Sequence, residues 1–281
     1  MMEIETVPAL VRPVVIAAFE GWNDAAESST AVIDHLMEAW GATVVAAIDP
    51  DEYYDFQVNR PGVGIDESGF QKLTWPSTHV AVASPPHLDR DVILIRGIEP
   101  NMRWRQFTAE LLGAIEDLDG ELVVTLGALL SDSPHTRPIP ISGAATEPDL
   151  LDRLQLEPST YEGPTGIVGV LQDACARVDL PAVSYWAAVP HYVAQPPCPK
   201  ATLALLVRLE DLLQAPMPLG ELPEEARAWE RGVDELAEED EDVADYVRSL
   251  EESRDTTDLP EASGEAIARE FERYLKRRGE R

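Results

Sequence analysis

Lysine and cysteine are scarce in this 281-residue chain, and acidic residues dominate its charge. Lysine occurs only at positions 72, 200 and 276, and Asp plus Glu outnumber Lys plus Arg by 52 to 22. The net charge of −30 argues against a nucleic-acid partner, because duplex binding needs Lys and Arg to neutralise phosphates. An anionic membrane surface is disfavoured for the same reason.

The two cysteines, Cys175 and Cys198, do not have the spacing of metal ligands, and we interpret them as reduced thiols. The apolar runs are far shorter than the ~18 residues that a membrane span needs. The N-terminus carries acids where a signal peptide needs positive charge, so we expect a cytoplasmic protein. Without an H-E-x-x-H or similar motif, we expect no metal and no other cofactor.

Strand-like apolar runs alternate with amphipathic helical segments along most of the chain. The run 121–130 is almost continuously apolar, as expected for a strand buried on both faces. A first helix is predicted to begin at Asn23 or Asp24, either of which is a good N-cap. This alternation predicts an α/β fold with a mixed, mostly parallel sheet flanked by helices. The other predicted strands are 14–19, 43–48, 71–75, 80–84, 91–95 and 182–189, and the main helices are 103–118, 166–178 and 199–214.

The composition changes after residue 218. We therefore predict an α/β core domain over residues 1–218 and an acidic helical C-terminal extension over residues 219–281. The acidic run 238–242 should break or bend the helical stripe, and residues 253–258 read as a linker before a last helix. The segment 131–165 is predicted to be loop apart from a short helix.

Polar clusters follow the predicted strands, at the point where each strand ends. Ligands of open α/β sheets bind outside the carboxyl ends of the strands, so these clusters predict a pocket. Five of the residues, one after each strand, should lie on a single edge of the sheet: Glu20, Asp49, Glu99, His135 and His191. The complete candidate set adds Trp22, Asn23, Asp24, Arg137, Gly163 and Thr165.

Each cluster also has a purely structural interpretation. His135 suits general acid–base chemistry and Arg137 suits an anion clamp, but their proline-bounded loop is also consistent with a rigid surface loop. The segment 20–24 either lines a pocket or caps the first helix. The glycine-rich segment 163–169 either binds an anion at a helix start or permits close packing of helix on sheet, and we favour packing. A serine-hydrolase elbow is absent.

Seven short segments together resemble the proteasome assembly chaperone 2 family, and in particular its actinobacterial branch of uncharacterised proteins. The resemblance spans about residues 12–215. The segments are F-E-G-W-N-D (19–24), Y-Y-D-F (53–56), R-P (60–61), R-G-I-E-P-N-M-R-W (96–104), G-A-L-L-S-D (127–132), P-H-T-R-P (134–138) and Y-E-G-P-T-G-I-V-G-V-L (161–171).

The resemblance implies a nucleoside-phosphorylase-like fold and a homo-oligomer, with a trimer favoured. It also implies proteasome subunits as candidate partners, because eukaryotic and archaeal relatives bind proteasome α subunits. Archaeal members that bind assembled proteasomes end in hydrophobic-Tyr-any residue. The present chain ends in Arg278-Gly279-Glu280-Arg281, which disfavours that mode of binding.

Three hypotheses remain open from the sequence. The favoured one is a non-enzymatic, homo-oligomeric interaction protein related to proteasome assembly chaperones. The second is a hydrolase or phosphorylase that acts on an anionic or nucleoside-like ligand in a strand-end crevice. The third is a scaffold in which Glu20, Trp22 and Arg137 become buried against a neighbouring subunit.

Overall fold

A computed structural model describes residue 2 and residues 4–66, 68–156 and 161–257 of the chain. Within them, seven strands form one sheet and two more form a separate hairpin. The strands are β1 (Val14–Glu20), β2 (Thr43–Ala47), β3 (Gly62–Ile65), β4 (Gln71–Thr74), β5 (His79–Ala83), β6 (Val92–Ile98), β7 (Leu122–Ser131), β8 (Ile141–Ala145) and β9 (Ala182–Pro190). The order across the sheet is β2-β5-β6-β1-β7-β9-β8, and β3 pairs with β4.

The centre of the sheet is parallel and its margins are antiparallel. Strands β6, β1, β7 and β9 run side by side in one direction, whereas β5 and β8 run against their central neighbours. Strand β2 is antiparallel to β5 and therefore runs with the central four. The predicted mixed α/β sheet is confirmed. Three of its six pairings are parallel, so the predicted parallel character holds for the centre rather than for the whole sheet.

Helices cover both faces of this sheet. They are α1 (Ser28–Ala39), α2 (Trp104–Asp117), α3 (Pro148–Leu154), α4 (Ile167–Arg177), α5 (Pro199–Leu213), α6 (Leu222–Glu239) and α7 (Glu241–Thr257). No helix among the described residues is both long enough and apolar enough to cross a membrane.

Strand β1 shows why the two helical layers form. Every side chain from Val14 to Phe19 is fully buried, and successive residues of a strand point to opposite faces. Ile16 joins a core cluster with residues of α1 and α5, whereas Phe19 joins a second cluster with residues of α2 and α4. The apolar run in the sequence therefore reflects a strand that is covered on both sides.

Several predicted boundaries differ from the structure. Helix α1 begins at Ser28, later than predicted, because a short 3₁₀ turn precedes it. The acidic run does break the C-terminal helix, since Asp240 is extended between α6 and α7. The prediction of a linker over residues 253–258 is wrong for residues 253–257, which belong to helix α7. Residue 258 lies outside the described residues. Strands β3 and β8 were not predicted, and the predicted last helix lies outside the described residues.

The C-terminal helix α6 packs on the core. Its residue Leu222 and the preceding Met217 belong to the same apolar cluster as Ile16 of β1. The division into two domains at residue 218 therefore stays a prediction. The two cysteines, Cys175 and Cys198, are free and buried, and burial raises the pKa of each thiol to about 11.

Candidate functional site

The predicted strand-end residues share one edge of the sheet. Glu20 is the last residue of β1, and Asp49, Glu99, His135 and His191 follow the carboxyl ends of β2, β6, β7 and β9. These five strands all run in the same direction. This placement is the one that the strand directions predict. Whether these residues form a ligand site is a separate question, which depends on their contacts.

Glu99 occupies the amino end of helix α4. Its Oε1 accepts the backbone N–H of Ile167 at 2.8 Å and Nδ2 of Asn23 at 2.7 Å. A Cβ atom on Gly166 would lie 2.0 Å from Oδ1 of Asn23 and 2.7 Å from Oε1 of Glu99. The helix start that was a candidate anion site therefore already holds a carboxylate of the same chain. Close packing explains Gly166, which confirms that interpretation of the glycine at this position.

The two other residues predicted in this segment also make local contacts. Tyr161 donates its hydroxyl hydrogen to the carbonyl of Pro164 at 2.8 Å, and a Cβ atom on Gly163 would lie 2.6 Å from that hydroxyl oxygen. A Cβ atom on Gly169 would lie 2.1 Å from Oγ1 of Thr165. These contacts give Gly163 and Thr165 a role in the conformation of the loop.

Asp24 caps helix α1 although it lies outside the helix, before the N-cap residue Glu27. Its Oδ1 accepts the backbone N–H of Ser29 at 2.7 Å and that of Thr30 at 3.3 Å. Oδ1 also accepts the hydroxyl hydrogen of Ser29, and Oδ2 accepts that of Thr30. Glu27 occupies the N-cap position of the helix, but its side chain makes no capping hydrogen bond. Asp24 therefore satisfies the free N–H groups at the helix start. This contact supports the capping interpretation of the segment 20–24.

A shallow depression lies beside this cap. Its volume is about 310 Å³, and its lining residues are Glu20, Gly21, Asp24, Ala26, Glu27 and Pro196. Glu20 forms an ion pair with Arg96, which also binds Asp34 at 3.1 Å. Three carboxylates in the lining repel an anion. The depression therefore does not support the anionic ligand of the second hypothesis.

His135 is enclosed by hydrogen bonds. Its side chain is 1% exposed, with Nε2 2.9 Å from Oδ1 of Asp234 and Nδ1 2.7 Å from the hydroxyl of Tyr192. The backbone N–H of His135 donates to the same hydroxyl at 2.7 Å. In the neutral imidazole, the Tyr192 hydrogen is directed to Nδ1 and Nε2–H donates to Asp234. Burial raises the pKa of Tyr192 to about 12, so the hydroxyl keeps this hydrogen at neutral pH.

The predicted anion clamp is paired within the chain. Nη1 of Arg137 lies 3.2 Å from Oε1 of Glu251 on α7, and Thr136 donates its hydroxyl hydrogen to the same carboxylate. Lys200 forms an ion pair with Glu230 on α6 at 2.6 Å and donates to the carbonyl of His135. The acidic extension itself therefore supplies the carboxylates that neutralise this part of the edge.

His191 belongs to an aromatic contact with α7. Its Nδ1 lies 3.2 Å from Oδ1 of Asp132, and Tyr246 donates to the same oxygen at 3.2 Å. The rings of His191 and Tyr246 pack edge to face, with centroids 5.4 Å apart. The predicted pocket thus divides into an Asn23–Glu99 cluster and a His135–His191 cluster. Asp49 joins neither and accepts the backbone N–H of Asp51.

Two residues of the extension that were not predicted, Glu230 and Asp234, complete the second cluster. Glu230 and Asp234 are four residues apart and so lie on one face of α6, which is the signal that could have indicated a polar contact. Their partners are far away in sequence. Within the described residues, no group of three or more His, Cys, Asp or Glu side chains is arranged to hold a metal ion.

Comparison with known proteins agrees with this architecture. The model of the PAC2 family matches residues 18–237. The chain belongs to the PAC2 family. No curated protein matches its sequence. The predicted resemblance to an actinobacterial branch of this family is confirmed by two solved structures.

A PAC2 family protein from Streptomyces avermitilis shares 58% identity with a TM-score of 0.79, covering 84% of this chain and 99% of its own. The proteasome-assembly chaperone homologue Rv2125 of Mycobacterium tuberculosis shares 51% identity with a TM-score of 0.77, covering 83% of this chain and 99% of its own. The archaeal proteasome activator PbaB of Pyrococcus furiosus is 15% identical, covers 84% of this chain and 98% of its own, and has a TM-score of 0.65. That last likeness concerns the fold alone.

Proposed function

We propose that this PAC2 family protein acts through protein–protein contacts in the cytoplasm. In this proposal it is a homo-oligomer, with a trimer favoured, and it binds proteasome subunits during their assembly. The relative named as a proteasome-assembly chaperone homologue, at 51% identity, supports the class of partner. No chemical step is part of the proposed role.

One observation carries the proposal. Glu99, His135 and Arg137 are bonded within the chain at the strand-end edge, whereas large apolar side chains at the same edge remain exposed. His135 is 1% exposed and bonded at both ring nitrogens, while Trp22 is 66% and Leu130 51% exposed. Exposed apolar groups at the edge favour contact with protein over contact with a small polar substrate.

The hydrolase or phosphorylase alternative finds less support. It needs His135 to exchange protons and Arg137 to hold an anion, and both side chains are engaged by Asp234 and Glu251 of the extension. A reaction at this edge would first require α6 and α7 to move away. At the start of α4, the N–H of Ile167 already binds Glu99 and is not available to an external anion.

Direct binding to proteasome α subunits tests the proposal. The full chain is titrated against immobilised α subunits from its own organism, both free and assembled into proteasomes, and binding is followed by interferometry. An unrelated protein of similar size and net charge serves as the control for non-specific attraction. We expect saturable binding for the full chain and no saturable binding for the control protein. Absence of binding to both forms of the α subunit would refute the proposed partner.

A further inference from the structure

Helix α6 of the acidic extension is anchored in the body of the protein. Its residue Leu222 belongs to a core cluster of the α/β sheet. Further along the helix, Glu230 binds Lys200 at 2.6 Å and Asp234 lies 2.9 Å from His135. The side chains of Lys200 and His135 are only 15% and 1% exposed, so both contacts lie largely out of solvent. Helix α6 is therefore a fixed part of the fold.

Helix α7 is attached more weakly. Its apolar residues Val247 and Leu250 are buried, but they belong to neither of the two core clusters. Its polar contacts with the core involve partly exposed groups, since Glu251 is 27%, Arg137 40% and His191 43% exposed. Ion pairs with this degree of exposure contribute little to stability. We therefore expect α7 to leave the core at a lower cost than α6.

A single extended residue joins the two helices. Asp240 has φ −128° and ψ 108°, between the end of α6 at Glu239 and the start of α7 at Glu241. It lies within the acidic run 238–242, whose five neighbouring carboxylates repel one another. We therefore take Asp240 as the hinge of α7.

The core residues that have polar or ring contacts with α7 form one small surface, which we call the α7 seat. Its members are Asp132, Thr136, Arg137, His191 and Tyr192. Two of them bind a carboxylate. The hydroxyl of Thr136 and Nη1 of Arg137 both donate to Oε1 of Glu251, the latter at 3.2 Å. Hydrogen bonds to an ionised acceptor are stronger than those between neutral groups, so the seat discriminates in favour of an anion here.

The other members of the seat hold an aromatic ring. Tyr246 donates its hydroxyl hydrogen to Asp132 at 3.2 Å. Its ring packs edge to face with those of His191 and Tyr192, with centroids 5.4 Å and 6.0 Å away. Tyr246 precedes Glu251 by five residues, which is about 7.5 Å along a helix. The seat thus fits a helix that carries an aromatic residue and, one to two turns later, a carboxylate.

Hydrogen bonds that do not involve α7 fix the shape of the seat. The hydroxyl of Ser133 donates to the carbonyl of Ala188 at 3.2 Å, and the backbone N–H of His135 donates to the hydroxyl of Tyr192 at 2.7 Å. Lys200 donates to the carbonyl of His135. The loop after β7 is therefore held in place whether or not α7 is bound, and a preorganised surface binds with a smaller ordering cost.

The seat is a cationic site in a strongly acidic chain. The chain has 22 Lys plus Arg against 52 Asp plus Glu. When α7 leaves, the Arg137 guanidinium loses the Glu251 carboxylate and attracts another anionic group in its place. Leu130, two residues before Asp132, is 51% exposed and offers a partner apolar area that α7 leaves uncovered.

We propose that the α7 seat is a binding surface for an acidic helix of a partner protein, and that α7 occupies this surface in the isolated chain. A carboxylate of the partner replaces Glu251 at Thr136 and Arg137, and an aromatic ring of the partner replaces Tyr246 beside His191. Because α7 competes for the same surface, the partner binds only as far as α7 is displaced. This inference rests on the protein-contact role of the proposed function and names the surface and the chemistry of that contact.

A peptide copy of α7 tests the seat. A fluorescein-labelled peptide of residues 241–257 is titrated with full-length protein, and its fluorescence anisotropy is followed. Glu251→Gln in the protein weakens the competing contact of its own helix, so we expect this variant to bind the peptide up to about fivefold more tightly than the wild type. The double variant Glu251→Gln/Arg137→Ala should lose this gain, because the peptide carboxylate then lacks its cationic partner.

Variants of the peptide separate binding at the seat from non-specific attraction. A peptide with Glu251→Gln should bind the Glu251→Gln protein about fivefold less tightly than the parent peptide. A peptide with Asp245→Asn should bind like the parent, because Asp245 pairs with Arg248 of the same helix. The inference is overturned if the parent peptide does not bind the Glu251→Gln protein, if the double variant binds it equally well, or if Glu251 of the peptide has no effect.

Nuclear magnetic resonance measures the displacement of the resident helix. Unlabelled peptide added to isotope-labelled full-length protein should shift the amide signals of α7 and leave those of α6 in place. Binding of the peptide with unchanged α7 signals would contradict the inference. So would a larger mass of the Glu251→Gln protein than of the wild type in light scattering, because it would identify α7 of a second copy as the occupant.

The outcome is separable from proteasome binding. If α subunits bind the chain and saturating peptide does not compete with them, this inference is overturned and the partner of the proposed function stands. If the peptide binds through Arg137 but no α subunit binds, the proposed partner is refuted and the seat stands.

Discussion

The imidazole of His135 meets Asp234, 99 residues further along the chain, with 2.9 Å between Nε2 and Oδ1. The contact joins the loop after β7 to helix α6 of the acidic extension. The sequence makes His135 a candidate acid–base group. In the structure it is buried and connects the loop after β7 to helix α6 by a hydrogen bond. The extension packs against the strand-end edge and contributes hydrogen bonds to it.

His135→Ala should therefore destabilise the fold. The change removes the imidazole that contacts the Tyr192 hydroxyl and the Asp234 carboxylate, and loss of a buried side chain together with its hydrogen bonds costs about 2–3 kcal/mol in the free energy of unfolding. Urea denaturation followed by circular dichroism measures this cost. His191→Ala is the matched control, since its side chain is 43% exposed. Its cost should stay below about 1 kcal/mol, and equal costs would contradict a specific role for His135.

Gly166→Ala should be strongly destabilising because no space exists for a methyl group. The new Cβ atom would lie 2.0 Å from Oδ1 of Asn23, so the cap of α4 must shift. We expect a loss of about 2–3 kcal/mol in the free energy of unfolding. Gly113→Ala in α2 is the control, because nothing lies within 4 Å of its Cβ position. It should stabilise the protein by up to about 1 kcal/mol.

The Asn23→Ala background provides a second check on that explanation. Removing the Asn23 amide removes the nearest colliding atom, so Gly166→Ala should cost less in this background than in the wild type. Strictly additive effects on the urea midpoint would show that Asn23 is not the source of the collision.

Helix α7 should become more dynamic when its contact with Arg137 is lost. Glu251→Gln removes the charge that binds Arg137 and Thr136, and the pair is partly exposed, so global stability should fall by less than about 1 kcal/mol. Hydrogen exchange of the α7 amides should nevertheless accelerate. Asp245→Asn, in an exposed pair with Arg248 on the same helix, should leave the exchange unchanged. Similar acceleration in both variants would refute the role of the Glu251 contact.

Local patterns predict the core of this fold well, because burial leaves a signature in consecutive residues. The fully buried strand β1 is an uninterrupted apolar run, and the break at Asp240 follows a run of acids. Strand β8 could not be predicted because its sequence, ISGAA, shows only a weak alternation of apolar and polar residues. It forms by pairing with β9, which is distant in sequence. Strand direction places His135 on the correct edge. Its partner Asp234 cannot be inferred, because that contact depends on how α6 folds back.

The two thiols should be unreactive in the folded protein. Burial raises the pKa of Cys175 and Cys198 from 9.0 to about 11, so both remain protonated and inaccessible at pH 8. A disulfide reagent should label neither in buffer and both in concentrated urea. Because the folded thiols hold their protons more tightly than the unfolded ones, their contribution to stability is complete below pH 9.0 and is lost as the pH rises towards about 11. Cys175→Ser and Cys198→Ser assign the labelling to each position. Rapid labelling of either thiol in native buffer would contradict its burial.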